Sequence, residues 1–551
     1  MARKTGQSRH QYGLFATPLD ELIAEDNPVR VVDAFVDALD LEKLGFRAVR
    51  DNRMGASSYD PAVLLKIYFY GYSNRVRSSR MLERECARNV ELMWLTERQI
   101  PSYHTISTFR TLKEKDKDGK VLYNHRKALV QVFKVFNQFL DKLGLFGKET
   151  FAVDGTKIAA QNSKKKNISE DKIARKLERV ENRIQEYLDE LDKADLSGEY
   201  DELPENTKAI LHAIVDMEDN KEAIMKLDDL LVAAKEADPH VTQVSLTDPD
   251  ARMLPINNEG MMLVAYNVQS VVDDKHCLIA DFSVENQKDL YLLAPRGIAV
   301  KAEFHIENDI ELLADKGYHA AKGLHECAEN GIVTYVAFPE KTFRERPKGF
   351  TKEDFEYNAE QDVYTCPAKN ELKTSGNWHE KHGRQGHLQT RYKLYRSPFS
   401  VCANCPFQEK CLSKASLEQR HGRTLERGEY EQAALENRNR ILHNRDKYKR
   451  RQAIVEHPFG TIKRHWGCYF TLLKRKEKVG GEVAIIFTCY NLRRVVSILG
   501  VKNLIKSLIE RFFVKTDAPR HFRDVFFNPI KFRCPKFDAG KTELVQFGLA
   551  A

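Results

Sequence analysis

The spacing of apolar residues divides this chain into segments of different character. Residues 15–145 read as helical throughout. Pro61 to Tyr72 opens with proline where the first turn of a helix tolerates it and is apolar densely enough for a buried helix. A polar stretch, Ser73 to Arg80, leads on to Met81 to Trp94, and a second helix is predicted to begin near Ser102 or Thr105. The pattern then shortens: Glu149 to Ile158 is β-prone and contains Asp154-Gly155, a turn signal. From Lys164 to His240 the helical period returns. Ile173, Leu177, Val180, Ile184, Tyr187 and Leu191 form one stripe, and Ile210, Ile214, Met217, Ile224, Leu227 and Leu231 form another beyond the breaker Gly198 to Pro204. This predicts a helical hairpin inserted into something else.

Two strands are predicted in Met261 to Val284, flanking Asp273-Asp274-Lys275 as a hairpin turn. A short helix is expected from Asp289, ended soon by Pro295 and Gly297. A strand over Ile310 to Asp315 follows, closed by Lys316-Gly317-Tyr318, then a helix to about Asn330 and a buried strand at Ile332 to Phe338. These elements describe a mixed α/β sheet. Residues 341–434 are polar and read as a second insertion. The core resumes around Glu456 and ends in an apolar helix, Ile485 to Val496, and a Pro-, Phe- and Lys-rich tail starts near Lys515.

Composition adds little until charge is read by position. The whole chain carries only +8, yet Arg438 to Lys478 holds 13 Lys or Arg against 3 Asp or Glu, a net of +10, while residues 164–240 hold 13 against 21. Glu456 therefore sits in strongly cationic surroundings, as suits a protein that grips a phosphate backbone and needs a carboxylate for metal. Arg75, Arg77 and Arg80, at the turn between helices, fit a helix-turn-helix DNA reader. An ordinary helical domain with a solvated basic face fits them equally. No apolar run approaches the ~20 residues that span a bilayer and the first residues lack an apolar signal core, so a soluble, intracellular protein is expected. Cys86, Cys277, Cys327, Cys468, Cys489 and Cys534 are scattered, as reduced thiols would be.

Candidate chemistry lies in three acids. Asp154 and Asp315 are each read at the end of a short apolar strand, with Gly within two residues. Neighbouring strands ~4.8 Å apart would bring both carboxylates to one point. Glu456, on a helix over that rim, would complete an oxygen-ligand site for Mg²⁺. A lone Asp before Gly is otherwise an ordinary turn residue. Lys463, two helical turns beyond Glu456, would hold a phosphate on the same face, although Pro458 and Gly460 are expected to kink the helix between them. Asp250 reads as a loop-building residue, and Asp248 is open between that and a site-ordering role. Cys366, Cys402, Cys405 and Cys411 have spacings of 35, 2 and 5 residues, which suit a structural Zn²⁺ or, equally simply, idle thiols.

In order along the chain, Phe151 to Lys157, Thr247 to Arg252, Tyr266 to Gln269, Ala314 to Tyr318, Val455 to Lys463 and Tyr490 to Arg494 resemble the motifs of the IS1182-like, IS4-related DDE transposases of bacterial insertion sequences. The resemblance covers most of the chain. It implies an RNase H-like mixed-sheet catalytic core made of residues 146–163, 241–340 and 435–500. It also implies an all-α N-terminal DNA-binding domain (1–145), the acidic helical hairpin (164–240) and the Cys-containing insertion (341–434) as further domains, and a C-terminal tail (501–551). Asp154, Asp315 and Glu456 would be the Mg²⁺ ligands, with Mn²⁺ able to substitute. Lys463 would stand beside them, and Arg75, Arg77, Arg80, Arg451, Arg464 and Arg493 would contact DNA. Tyr448 and Arg451 depart from the family spacing by one residue before Glu456. The implied activity is metal-dependent cleavage at element ends followed by attack of the freed 3′-hydroxyl on target DNA. The implied partners are the terminal inverted repeats, target DNA and a second copy in a synaptic homodimer, in the bacterial cytoplasm on the nucleoid. A nuclease that cuts without joining, and an idle domesticated DNA-binding protein, are the alternatives.

Overall fold

The computed structural model describes residues 18–512 apart from 48, 51–57, 116–117, 120, 164–165, 197–204, 238–240, 256–260, 339–348 and 383–387. Its N-terminal part is built from helices α1 (Val29–Asp37), α2 (Pro61–Ser73), α3 (Ser79–Arg88), α4 (Val90–Leu95), α5 (Tyr103–Phe109) and α6 (His125–Lys142). The start of α2 follows from its sequence: Pro61 lacks only an N–H that would be unpaired there, and the Asp60 carboxylate accepts the Ala62 N–H at 2.8 Å. Ser102 caps α5 by accepting the Thr105 N–H. The expectation of helix throughout this part needs one correction. Val49–Arg50 pairs with Ser58–Tyr59, and Lys113–Lys115 pairs with Val121–Asn124, as short antiparallel strands.

The central sheet contains β1 (Thr150–Ala159), β2 (Arg252–Pro255), β3 (Met262–Asp273), β4 (Ile279–Glu285), β5 (Ile310–Ala314) and β6 (Ile332–Val336). Its order is β4-β3-β1-β5-β6, with β2 also on β3. β4, β3 and β1 run antiparallel, while β5 and β6 are added parallel to β1. The parallel strands Ile310–Ala314 and Ile332–Val336 are nearly uninterrupted apolar runs because both their faces are covered. Between them and the antiparallel strands comes α9 (Leu293–Glu303), which was expected to stop at Pro295 and Gly297 and does not. Pro295 falls in its first turn, where its missing N–H is harmless. Gly297 lets the helix lie close on the sheet, since a Cβ there would come 2.7 Å from Ile332 and 3.0 Å from Leu312.

Between β1 and β2 rise α7 (Glu170–Leu196) and α8 (Glu205–Ala237), packed on each other through Ile173, Ile224 and Leu231. α10 (Ala321–Glu329) precedes β6. A separate five-stranded antiparallel sheet follows, made of β7 (Glu356–Asn358), β8 (Val363–Thr365), β9 (Glu371–His382), β10 (Leu388–Arg396) and β11 (Thr424–Gly428). The chain returns to the central sheet through α11 (Glu431–His443) and α12 (Arg445–Phe459). The N-terminal helices, the central sheet, α13 (Lys476–Leu499) and α14 (Val501–Phe512) share one hydrophobic core, and α13 packs against α6 and α2. The expected tail from residue 501 therefore begins as a helix on α1. The stretch from Lys515, and Cys534 within it, lie outside the described residues. No single described helix is long and apolar enough to cross a membrane.

Candidate active site

Asp154 is not at a strand end, as its Asp-Gly context had suggested, but midway along β1. The strand continues to Ala159 because β3 pairs with it along nine residues, from Phe151↔Asp273 to Ala159↔Ala265. On its other side β1 pairs in parallel with β5, Ala152 facing Leu313. Two residues on, Asp315 stands just past the end of β5 and level with Asp154 on the adjacent strand. Asp315 is held there as the cap of the turn Lys316–Tyr318, accepting the Gly317 N–H at 2.8 Å. Burial pushes the Asp154 carboxyl up to about 6, Arg451 opposes that rise, and the charges of Asp315 and Asp289 add to it. Oxygen donors carrying surplus negative charge on adjacent strands fit a divalent cation.

α12 lies over β1, β3 and β5 and brings cations to this point. The helix passes through Pro458 and continues as a π-helical segment, Gly460–His465, instead of breaking. Widening the turn there accommodates the ring and the lost N–H. Lys463, on that segment, donates to the Lys157 carbonyl at 3.0 Å. Its ammonium is pushed below the usual lysine range by burial and by Lys157, with Asp154 pulling the other way. Arg451 lies within electrostatic reach of Asp154 and packs its guanidinium over Tyr448. Glu456 sits between them in sequence, but its exposed carboxylate accepts from Gln452 Nε2 at 2.6 Å on its own helix. Asp154 and Asp315 are thus brought together, with Lys463 and Arg451 beside them, and Glu456 is placed on the covering helix facing solvent.

The arginines separate. Arg75, Arg464 and Arg493 are exposed. Arg75 bonds His465 Nδ1 at 2.8 Å, and His465 is driven below its usual range chiefly by Arg75, with burial and Arg493 contributing. Arg80 is exposed over the Tyr103 ring. Arg77 is different: it is buried against Glu482 and the Phe470 carbonyl, so it cannot contact DNA as the sequence suggested. Asp248 is fully buried and accepts from the Tyr266 hydroxyl and the Arg475 N–H, both at 2.8 Å, while Asp250 accepts the Lys476 N–H. Both fasten the start of α13 to the sheet.

Sequence reading missed Asp289, Lys157 and Tyr318 as site residues. Asp289 accepts from Lys157 Nζ at 2.8 Å and from Asn267 and Gln269, and Tyr318 donates to Gln269. A signal for them existed: Asn267 and Gln269 are polar residues on one face of an otherwise apolar strand, and buried amides require partners. Beside the second sheet, Cys366, Cys402, Cys405 and Cys411 line one cavity of about 20 Å³ together with Arg423, space for a single water-sized group. Burial raises the Cys411 thiol, Arg423 lowers it, and the other three cysteines raise it further. Among the described residues, no group of three or more His, Cys, Asp or Glu side chains is arranged closely enough to hold a metal ion.

Residues 17–112 match a family model described as Transposase domain (DUF772), and residues 365–496 match one described as Transposase DDE domain. Glu456 and Lys463 lie inside the second stretch, whereas Asp154 and Asp315 lie outside both. No curated protein matches the chain. Among solved structures, a piggyBac transposase synaptic complex with hairpin DNA, determined by cryo-EM, is 10% identical over 94% of this chain and 87% of that one, with a TM-score of 0.31.

Proposed function

We propose that this chain is a DDE transposase, a polynucleotidyl transferase acting on DNA, as its matches to the two transposase domain families support, and that its active centre is the rim where Asp154 and Asp315 meet under α12. The observation that carries this reading is the placement of these two acids at one level of adjacent parallel strands, beneath Arg451 and Lys463. An antiparallel meander extended by two parallel strands, with one acid on β1 and one just past the end of β5, supports an RNase H-like core assembled from residues 146–163, 241–340 and 435–500. Asp154 and Asp315 would hold Mg²⁺ or Mn²⁺, and Glu456 would join them from α12. Bound there, the cation supplies Lewis-acid polarisation of a phosphate oxygen and acidifies the attacking group.

The chain's own side chains bind and orient. Lys463, anchored by its bond to Lys157, keeps an ammonium fixed next to the carboxylates, where a phosphate oxygen would otherwise be repelled. Arg451 offsets the acids from the other side. The exposed Arg75 and Arg493, which meet around His465, together with exposed Arg464 and Arg80, would grip the DNA backbone and make binding salt-dependent. Cleavage uses water to release a 3′-hydroxyl at the element end. In joining, that oxygen forms a bond to a target phosphorus as the target's own bond to its 3′-oxygen breaks, so the phosphodiester count is unchanged. Two ends require two sites, hence a homodimer. The acidic hairpin 164–240 would repel DNA and is suited to protein contact. In the insertion 341–434 the four cysteines line one cavity, and a structural Zn²⁺ there would have to draw them closer together.

Incubating the protein with end-containing DNA, target DNA and Mg²⁺ tests the reading. Covalently joined product is expected. Cleavage with no joined product would make the protein a nuclease instead.

A further inference from the structure

Asp289 opens the turn Asp289–Tyr291 that follows β4, and its carboxylate is held from two strands. Oδ1 accepts from Asn267 Nδ2 and from Gln269 Nε2, both at 2.7 Å, and Oδ2 accepts from Lys157 Nζ at 2.8 Å. Asn267 and Gln269 are fully buried, and Gln269 in turn receives the hydroxyl of Tyr318, which belongs to the turn behind Asp315. A half-buried carboxylate with three strong donors is well fixed. What it is fixed against is informative. A Cβ on Gly155, the residue after Asp154, would lie 2.5 Å from Asp289 Oδ1 and 2.3 Å from Gln269 Nε2. A Cβ on Gly317, two residues after Asp315, would lie 3.7 Å from Asp289 Oδ2. Asp289 therefore lies tightly against the backbone that follows Asp154 and near the backbone that follows Asp315, and the glycine at 155 is what admits it.

We propose that Asp289 is a positioning residue for Asp154 and Asp315, clamping the β1 backbone and the Lys316–Tyr318 turn so that both carboxylates face one divalent cation. This rests on the metal-site reading above. It also gives Gly155 a role, that of leaving room for the clamp, which is distinct from turn formation. The charge of Asp289 already reaches Asp154, raising its proton affinity along with that of Asp315. Lys157 balances the added charge while leaving its carbonyl to anchor Lys463. Groups behind metal ligands act by orientation, and losing one weakens metal binding without removing a ligand.

Mn²⁺ binding to the full-length protein, followed by electron paramagnetic resonance and paired with circular-dichroism melts, tests this directly. Asp289→Asn keeps the size of the side chain and one acceptor oxygen. It is expected to fold and to bind Mn²⁺ roughly tenfold more weakly than the native protein. Gln269→Met, which removes one donor to Asp289 and the acceptor of Tyr318, is expected to weaken binding in the same direction, and it decides the matter if Asp289→Asn does not fold. Asp315→Asn serves as the reference and should lose the site. Native-like Mn²⁺ affinity in folded Asp289→Asn and Gln269→Met, with binding lost in Asp315→Asn, would overturn the positioning role alone. Native-like affinity in Asp315→Asn would overturn the metal-site reading beneath it.

Discussion

Arg77 donates to Glu482 Oε1 at 2.8 Å from a side chain only 9% exposed, and its partner is 1% exposed. Glu482 also accepts the Leu472 and Leu473 N–H groups, so the pair fixes the approach to α13. Removing one member strands a buried charge: Arg77→Ala is expected to cost about 3–5 kcal/mol in chemical denaturation, against little for exposed Arg75→Ala. From sequence the two arginines were indistinguishable, because neighbouring positions in a turn do not reveal which one a distant helix covers. His125 shows the same dependence on tertiary context. Its imidazole is fully buried between the Phe109 carbonyl and the Arg47 N–H, and burial lowers its pKa to about 4 although the carbonyl contact opposes this. The unfolded chain then binds more protons than the folded one between the ordinary value near 6.5 and 4. Stability should be full above pH 6.5 and fall as pH drops toward 4, by on the order of 3 kcal/mol, in denaturation curves taken across that range. His125→Gln should flatten the dependence.

At the scale of elements, what was legible was what a local pattern encodes. The alternating stripe Ile173, Leu177 and Val180 faces Ile224, Leu227 and Leu231 across the hairpin, and Asp274 and Lys275 do turn β3 into β4. What was not legible depended on partners far away in sequence. β1 runs through Asp154-Gly155 because β3 supplies the pairing. α9 continues past Gly297 because β5 and β6 fill the space above it. Likewise Asn491 looked like one residue of a motif, whereas it bonds Ile279 at both N–H and carbonyl and meets Asn137, fastening α13 to β4 and α6. The insertion is a case where local structure has little else to hold it. The buried cluster of its sheet is Phe355, Tyr364, Leu372, Tyr395 and Leu425, with Cys366 and Cys411 packed alongside. If the four thiols are its staple, purified protein should carry about one zinc per chain by elemental analysis, and a strong chelator should make residues 341–434 the first region cut by protease. Zinc-free protein with an unchanged digestion pattern would show the thiols to be idle.

Over the whole molecule, charge and core are arranged in opposite senses. The core is continuous from Ile23 to Leu508, so the N-terminal helices and the sheet are packed as one. Charge is segregated along the chain: +10 over residues 438–478 and −8 over 164–240. At the junction of these features lie two acids on adjacent strands, the clamp at Asp289 and the helix carrying Arg451, Glu456 and Lys463. Glu456 is the member whose exposed side chain is held by Gln452 on its own helix, and its role is the least fixed by the packing. Single-turnover joining of a pre-cleaved end to target DNA, measured in Mg²⁺ for Asp154→Asn, Asp315→Asn and Glu456→Gln, addresses all three acids at once. Each variant is expected to bind the end DNA as the native protein does and to join it at least about 100-fold more slowly. Native-like joining by Asp154→Asn or Asp315→Asn would contradict the placement of the active centre, and native-like joining by Glu456→Gln would remove α12 from the metal site.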